Sequence, residues 1–338
     1  MAHERALLQT DPEQRAMMEE RVIVTDYYDN QIGSGSKKES ACKERKPTIL
    51  TCNCRLPLTH FPSPCASPAA HIWSNILQGM VHRAFSVFLF TPEGRLVLQQ
   101  RASTKVTFAD IWANTCCSHP LDVEGERDMG GALGVKNAAR RKLEQELGID
   151  PKEVPLECFT WVTRVHYAGA SMDARQLGPA GEPLWGEHEI DWILVCVPPK
   201  APRITPNPNE VRAVREFTQD GLREWLRSGA SGGGSAGSSS SSSEVAHVTP
   251  WFKVMEGSGL LYAWWDAVLG KGSGGLEGVL ERDLIHRQPE LEARALAAAA
   301  GSGGGAAAAA VEEPQALASC RSVTHAKGVM APKAALSF

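Results

Sequence analysis

The chain has 338 residues, of which 43% are hydrophobic and 22% are charged, and its formal net charge is −4. This composition is typical of a globular protein large enough to bury a core, and the charge excludes a strongly basic nucleic-acid-binding protein. Because of this charge, we expect no nucleic-acid partner. The sequence contains no apolar run of the roughly 18 residues that a membrane-spanning helix needs, so we also expect no membrane partner.

The N-terminal residues 1–20 contain no apolar stretch of the kind found in a secretory signal. We therefore expect a cytoplasmic protein, with a plastid location as the alternative. The nine cysteines are an odd number, and disulfides are rare outside secreted proteins. Free thiols, metal ligands or a catalytic thiol are the expected roles of these cysteines.

Composition divides the chain into one core domain and several segments without hydrophobic periodicity. We predict an N-terminal extension over residues 1–20, a core domain over residues 21–288 and a disordered Ala/Gly-rich tail over residues 289–338. Within the domain, residues 42–70 contain five prolines and residues 229–243 consist of Gly, Ser and Ala, so both are predicted to be disordered inserts.

The core domain combines short apolar strands with amphipathic helices. Residues 84–90 are typical of a buried strand, and a turn at residues 91–94 leads to a returning strand over residues 95–100. Residues 132–147 have apolar side chains every four positions before Gly148, which predicts a helix that ends at a glycine cap. Further strands are predicted over 21–33 (a pair around a turn), 157–167 and 190–197, and further helices over 215–227 and 259–269. This mixture indicates an α+β fold.

One cluster of chemically active side chains lies in residues 114–120, which read Asn-Thr-Cys-Cys-Ser-His-Pro. It places the thiols of Cys116 and Cys117 close to the hydroxyl of Ser118 and the imidazole of His119. Taken alone, the segment is equally compatible with two buried cysteines beside a surface histidine.

A second cluster contains Glu187 and Glu189, at the start of a predicted strand. Side chains two residues apart on a strand point to the same face. Two carboxylates held together repel each other unless a cation lies between them or one is protonated. The pair therefore indicates a metal site or a catalytic acid, and a solvated strand edge is the alternative.

Histidines complete a candidate metal site. His71 and His82 are eleven residues apart, and His82 leads directly into the predicted buried strand. With His119, Glu187 and Glu189 they would supply three imidazoles and two carboxylates. This set suits a six-coordinate divalent ion such as Mn²⁺, Mg²⁺ or Zn²⁺ with an open position.

The predicted helix carries a degenerate motif over residues 141–149, which read Arg-Lys-Leu-Glu-Gln-Glu-Leu-Gly-Ile. These residues resemble the end of the Nudix box, R-E-U-x-E-E-x-G-U, where U is aliphatic. Glu146 matches the box, whereas Lys142 and Gln145 stand where it has glutamates. Because Nudix hydrolases gather metal ions with those carboxylates, the resemblance implies a Nudix-like fold that does not hydrolyse diphosphates. An ordinary charged helix is the alternative.

The ordered set of segments 82–90, 114–120, 141–149, 185–191 and 250–253 resembles the type I isopentenyl-diphosphate Δ-isomerases. The similarity covers residues 21–41 and 71–288. It implies a Nudix-like mixed sheet flanked by helices. It also implies the isomerisation of isopentenyl diphosphate to dimethylallyl diphosphate through a tertiary carbocation, in isoprenoid biosynthesis.

The resemblance assigns catalytic roles to four residues. Cys117 and Glu189 would be the proton donor and acceptor on opposite faces of the substrate, with Cys116 structural. Tyr167 matches a tyrosine that relays or orients a proton near the carboxylate. Trp251 matches a tryptophan whose indole stabilises the carbocation by a cation–π interaction.

The resemblance also implies binding residues. The five candidate metal ligands named above correspond to the family's metal site, and Glu146 matches a ligand of a second ion, Mg²⁺, that bridges the diphosphate. The residues implied in binding the diphosphate are Arg101, Lys105, Ser118 and Lys38 or its neighbour Lys37.

Two other functions stay open at this point. A Nudix-type diphosphohydrolase would share the fold, although Lys142 and Gln145 speak against it. A non-catalytic metal-binding scaffold would keep the fold without turnover, although Cys117 and the glutamate pair speak against it. We expect the small molecule isopentenyl diphosphate as the substrate of a monomeric enzyme.

Overall fold

A computed structural model of the chain describes residues 6–41, 80–173, 175, 177, 181, 183–230, 247–289, 291–292 and 324–325. His71, residues 42–70 and residues 231–243 lie outside these ranges, as does most of the predicted tail. The expectations for those segments stay predictions. None of the described helices is long and apolar enough to cross a membrane.

The described residues form two β-sheets and a set of helices. The strands are β1 Arg21–Thr25, β2 Gln31–Ser36, β3 His82–Leu89, β4 Leu96–Arg101, β5 Trp112–Ala113, β6 Cys116–Ser118, β7 Phe159–Ala170, β8 Gly186–Cys196, β9 Val211–Phe217, β10 Ile285–Arg287 and β11 Thr324–His325. The α-helices are α1 Pro12–Met17, α2 Lys37–Ala41, α3 Leu133–Leu147, α4 Gln219–Ala230, α5 Pro250–Gly257 and α6 Leu260–Val268. Short 3-10 helices span Gly130–Ala132, Leu156–Cys158 and Gly275–Val279.

The larger sheet is mixed and has the strand order β11-β10-β7-β8-β3-β1-β2, with β6 also paired to β3. Strands β3 and β8 are parallel, as are β10 and β7, and the other pairs are antiparallel. The smaller sheet has the order β5-β4-β9 and is antiparallel.

The predicted turn and returning strand are present, and Phe90 and Leu96 form an antiparallel bridge at the turn, but β3 and β4 then continue in different sheets, which the prediction did not include. Strand β3 already has β8 on one side and β1 and β6 on the other, so both of its edges are occupied. After the turn, β4 therefore pairs with β9 and β5 instead. Strand β9 also takes the start of the predicted helix 215–227, which begins only at Gln219.

Apolar side chains cover both faces of the larger sheet. Helix α3 packs on one face through Val135, Ala139, Leu143 and Leu147, which are all fully buried. Helices α5 and α6 pack on the other face with large aromatic side chains. Each such large apolar side chain contributes about 2 kcal/mol on burial. The predicted α+β fold with a mixed sheet flanked by helices is therefore confirmed.

Candidate active site

One cavity gathers side chains from segments that are far apart in the sequence. Its walls are formed by Gln14, Met17, Met18, Lys37, Ala41, His82, Phe85, Ser86, Arg101, Lys105, Val106, Thr107, Cys117, Ser118, His119, Lys142, Tyr167, Glu187, Glu189 and Trp251. Most of the residues predicted to act in catalysis and binding thus lie around one space. Lys38 and Glu146 do not line it.

Four predicted metal ligands converge in this cavity. The ligand atoms of His82, His119, Glu187 and Glu189 all lie within 4.8 Å of one another. His119 Nε2 is 2.8 Å from Glu189 Oε1, and His82 Nε2 is 3.4 Å from Glu187 Oε2. The fifth predicted ligand, His71, lies outside the described residues.

Strand geometry explains this convergence. Glu187 and Glu189 are two residues apart on β8, so their side chains point to the same face, as the sequence predicts. Strand β3 runs parallel to β8 and places His82 opposite Glu189. His119 follows directly after β6, which pairs with β3.

The charges of this cluster call for a cation. Burial disfavours the protonated form of His82, but hydrogen bonds to Glu187 and Glu189 outweigh burial and raise the His82 pKa to about 10. Burial also opposes ionisation of Glu189, yet hydrogen bonds from His119 and His82 lower its pKa. His82 Nδ1 lies 3.0 Å from the Met80 carbonyl oxygen, so Nδ1–H donates there and Nε2 can bind a metal in place of a proton. The donor set therefore fits a divalent cation.

The two adjacent cysteines have different surroundings. Cys117 lines the cavity, and Arg101 Nη1 is 3.6 Å from its sulfur. Burial raises the pKa of the Cys117 thiol to about 12, against the opposing effect of Arg101, so the thiol is protonated at neutral pH. Cys116 is fully buried in the core under α3, with its sulfur 3.6 Å from Glu146 Oε2. Only Cys117 can therefore meet a molecule bound in the cavity.

Tyr167 and Trp251 supply aromatic surface to the cavity. The Tyr167 hydroxyl donates a hydrogen bond to Glu189 Oε2. The Trp251 ring packs against Tyr167 and Phe108, with centroid distances of 5.6 and 5.2 Å. Helix α5 brings Trp251 close to β7 because Gly169 has no side chain: a Cβ there would lie 2.9 Å from a Pro250 side-chain carbon.

Another part of the wall is cationic and consists of Arg101, Lys105, Lys37 and Lys142. Arg101 Nη2 donates to the Thr107 carbonyl oxygen at 2.9 Å, which fixes the guanidinium. Lys38, the predicted diphosphate-binding lysine, lies away from this wall, with its Nζ 3.8 Å from Glu19. Successive residues of a helix are rotated by about 100°, so only one of these adjacent lysines on α2 faces the cavity, and it is Lys37.

Buried carboxylates hold the lysines of this wall. Lys142 Nζ is 3.1 Å from Glu146 Oε1 and 3.7 Å from Glu210 Oε1. Lys105 Nζ is 2.5 Å from Glu210 Oε2. Burial opposes ionisation of Glu210, but the two lysines lower its pKa to about 2.

Sequence reasoning missed Lys142 as part of the wall and Glu210 as the carboxylate that contacts its lysines. It interpreted Lys142 only as a missing carboxylate of the motif. Its position one helical turn before Glu146 was the available signal that both side chains share a face of α3. Glu210 gave no such signal, because its contacts depend on residues far away in the sequence.

The comparisons with known proteins agree with this geometry. Residues 80–232 match the family model of the NUDIX domain. This match and the described fold indicate a NUDIX-like domain over these residues, in which Lys142 stands where the motif has a glutamate. The chain is 37% identical over 270 residues to isopentenyl-diphosphate delta-isomerase of Candida albicans, covering 76% of each chain. It is 38% identical over 263 residues to that of Schizosaccharomyces pombe, covering 76% of this chain and 89% of that one. It is 36% identical over 256 residues to isopentenyl-diphosphate Delta-isomerase 1 of Mus musculus, covering 76% and 88%. The chain belongs to the isopentenyl-diphosphate delta-isomerase family.

Proposed function

We propose that this protein isomerises isopentenyl diphosphate to dimethylallyl diphosphate, the activity for which its relatives are named. The observation that carries the proposal is one cavity that presents the thiol of Cys117 and the carboxylate of Glu189 beside a cationic wall. Moving an unactivated double bond needs a proton donor and a proton acceptor, and holding a diphosphate needs cations. The cavity contains both.

The reaction balances as two proton transfers. One member of the Cys117/Glu189 pair adds a proton to the terminal alkene carbon, and the π electrons form the new C–H bond, which leaves the positive charge on the tertiary carbon. The other member removes a proton from the carbon on the diphosphate side, and that electron pair becomes the new double bond. Because the reaction is reversible, the two residues exchange roles with its direction. Tyr167 orients the Glu189 carboxylate through its hydrogen bond.

The tertiary carbocation must be kept from water. The Trp251 indole is only 3% exposed and offers a π-face to the cation, an interaction of about 2 kcal/mol when desolvated. The neighbouring rings of Phe108 and Tyr167 add apolar surface. A closed aromatic pocket prevents capture of the cation by solvent.

The cationic wall binds the diphosphate in this proposal. Arg101, Lys105 and Lys37 supply charge, Lys142 joins them, and Ser118 adds a donor. This part of the wall is pre-arranged, because Lys105 and Lys142 are already fixed by buried carboxylates.

Two divalent ions complete the proposed enzyme. The first would be held by His82, His119, Glu187 and Glu189, with His71 as the predicted fifth ligand, and Mn²⁺, Mg²⁺ or Zn²⁺ suits this set. When bound, it lowers the proton affinity of Glu189. Glu146 stays the predicted ligand of a second ion, Mg²⁺, which would neutralise charge on the diphosphate.

A single assay tests this function. The purified full chain is incubated with isopentenyl diphosphate and Mg²⁺, and the allylic diphosphate and free phosphate are separated. We expect allylic diphosphate without phosphate release, and no product from Cys117→Ala. Phosphate release without isomerisation would identify a Nudix-type diphosphohydrolase, and the absence of both products would identify a non-catalytic metal-binding scaffold.

We further propose that the protein acts in the cytoplasm as a monomer on this small molecule alone. Size-exclusion chromatography and imaging of a C-terminally tagged chain test these points.

A further inference from the structure

Asn114 makes three hydrogen bonds at a fully buried position between β5 and β6. Its Nδ2 donates to the carbonyl oxygens of Val87 at 3.1 Å and Cys116 at 2.8 Å. Its Oδ1 accepts from the indole N–H of Trp251 at 2.9 Å. The amide therefore uses both donors and its acceptor, and only one orientation satisfies all three contacts.

These contacts tie the indole to the strand that carries the reactive thiol. Trp251 lies 137 positions after Asn114 in the chain, whereas Cys116 directly precedes Cys117. A second link runs in parallel, since the Thr249 backbone N–H donates to the Trp112 carbonyl oxygen at 2.9 Å. That link fixes the start of α5 but leaves the rotation of the indole to the Asn114 contact.

Asn114 itself does not line the cavity. We propose that Asn114 is a positioning residue for the isomerisation, because its amide holds the Trp251 indole at a fixed angle to the Cys117 thiol. The proposal rests on the proposed function. A cation–π contact depends on the angle of the ring face, so an indole that can rotate stabilises the carbocation less well.

The expected effect is on turnover rather than on substrate affinity. Asn114→Ala removes the acceptor for one buried N–H and should lower kcat about tenfold, while KM changes less than about twofold. Trp251→Phe keeps a ring but has no N–H for Asn114 to hold. If Asn114 acts through the indole, adding Asn114→Ala to Trp251→Phe should lower kcat by less than about twofold more.

Thr115→Val is the matched control. Thr115 is also fully buried, and its hydroxyl accepts from the Leu89 N–H at 2.9 Å and donates to the Val97 carbonyl oxygen at 2.5 Å. It links two strands without contacting Trp251. Its loss should lower Tm about as much as Asn114→Ala does, with kcat within about twofold of wild type.

The experiment measures kcat, KM and Tm for the wild type, the two single variants, the double variant and Thr115→Val. The Trp251 indole N–H resonance, assigned by its absence in Trp251→Phe, should shift in Asn114→Ala. Multiplicative losses in the double variant, an unshifted resonance, or an equal kcat loss in Thr115→Val would overturn the proposal. If Asn114→Ala does not fold, Asn114→Leu fills the site with a branched side chain that has no acceptor for the indole N–H, and it enters the same cycle. A wild type without isomerase activity would overturn the proposed function instead.

Discussion

Binding of a divalent ion to the metal-free protein should release one proton from His82. Without metal, the hydrogen bonds to Glu187 and Glu189 raise the His82 pKa from 6.5 to about 10, so the imidazole is protonated at neutral pH. A metal ligand must be neutral imidazole, and the metal and this proton compete for the same carboxylates. His119, whose pKa is lowered chiefly by burial, is already neutral and contributes no proton.

The size of this competition follows from the shift. At a pH of about 7.5 a proton bound with a pKa near 10 weakens the apparent metal affinity by about 300-fold, or about 3 kcal/mol. The affinity should therefore rise about tenfold per pH unit across the neutral range. The stability of the metal-free protein should change with pH in the opposite direction to the metal affinity. Protonation of His82 stabilises the metal-free protein fully below a pH of about 6.5, and this contribution is lost as the pH rises through about 10.

Titration calorimetry of chelator-treated protein with Mn²⁺ measures both the apparent metal affinity and the number of protons released on binding. The apparent heat in buffers of different ionisation enthalpy gives the number of protons released, and we expect about one per ion at a pH of about 7.5. Glu187→Gln removes one of the two carboxylates, so it should weaken metal binding and reduce the proton release, with a smaller effect on Tm. A metal affinity independent of pH between about 7 and 9, with no proton released, would refute the reasoning.

Three further expectations concern single side chains. Cys117→Ala should abolish turnover, whereas Cys116→Ala should keep much of it, since only one sulfur faces the cavity; equal losses in steady-state assays would contradict this assignment. Trp251→Leu should lower kcat by about 10–30-fold and Trp251→Phe by less, with little change in KM, and equal kcat values for the two would make Trp251 a packing residue. Lys142→Met should raise KM for isopentenyl diphosphate by about tenfold or more, and Lys142→Arg should restore it; an unchanged KM would remove Lys142 from the diphosphate wall.

The parts of the site that follow local periodicity could be predicted from the sequence. The two-residue spacing of Glu187 and Glu189 places both on one face of β8, whatever else surrounds the strand. The four-residue spacing before Gly148 predicts α3 and its buried face, and the left-handed φ of 62° at Gly148 ends the helix as expected. Local geometry alone decides these features.

Features that depend on distant partners could not be predicted. Lys142 looks like one more charge on an exposed helix, but it is only 2% exposed. It contacts Glu210, which lies 68 positions later in the chain, directly before β9. The choice between Lys37 and Lys38 is an exception, because the start of α2 has a local signal that sequence reasoning missed: the Ser36 N–H donates to Glu39 Oε2, and the Glu39 N–H donates to Ser36 Oγ. Strand β4 does not join the larger sheet, because both edges of β3 are already paired with other strands. Nothing in the sequence of β4 indicates that these edges are occupied.

Arg101, a residue of the cationic wall, lies close to both the Cys117 thiol and the Trp251 ring. Its guanidinium is 3.6 Å from the Cys117 sulfur, and its central carbon is 5.9 Å from the centre of the Trp251 ring. The carbonyl oxygens of Thr107 and Phe108 hold it there, so it cannot swing away. Before substrate binds, a fixed positive charge therefore lies beside the indole that should stabilise a carbocation.

This placement predicts that the diphosphate contributes to catalysis as well as to binding. For a carbocation as far from Arg101 as the Trp251 ring centre is, 5.9 Å, the two positive charges repel by about 3 kcal/mol at an effective dielectric constant of about 20, which is about 100-fold in rate. A diphosphate bound to Arg101 cancels that repulsion, whereas isopentenol, the same carbon chain without the diphosphate, leaves it in place. We expect isopentenol at saturation to turn over at least about 100-fold more slowly, and added inorganic diphosphate to restore part of the rate. The same kcat for the alcohol as for the diphosphate ester would show that Arg101 contributes to binding alone.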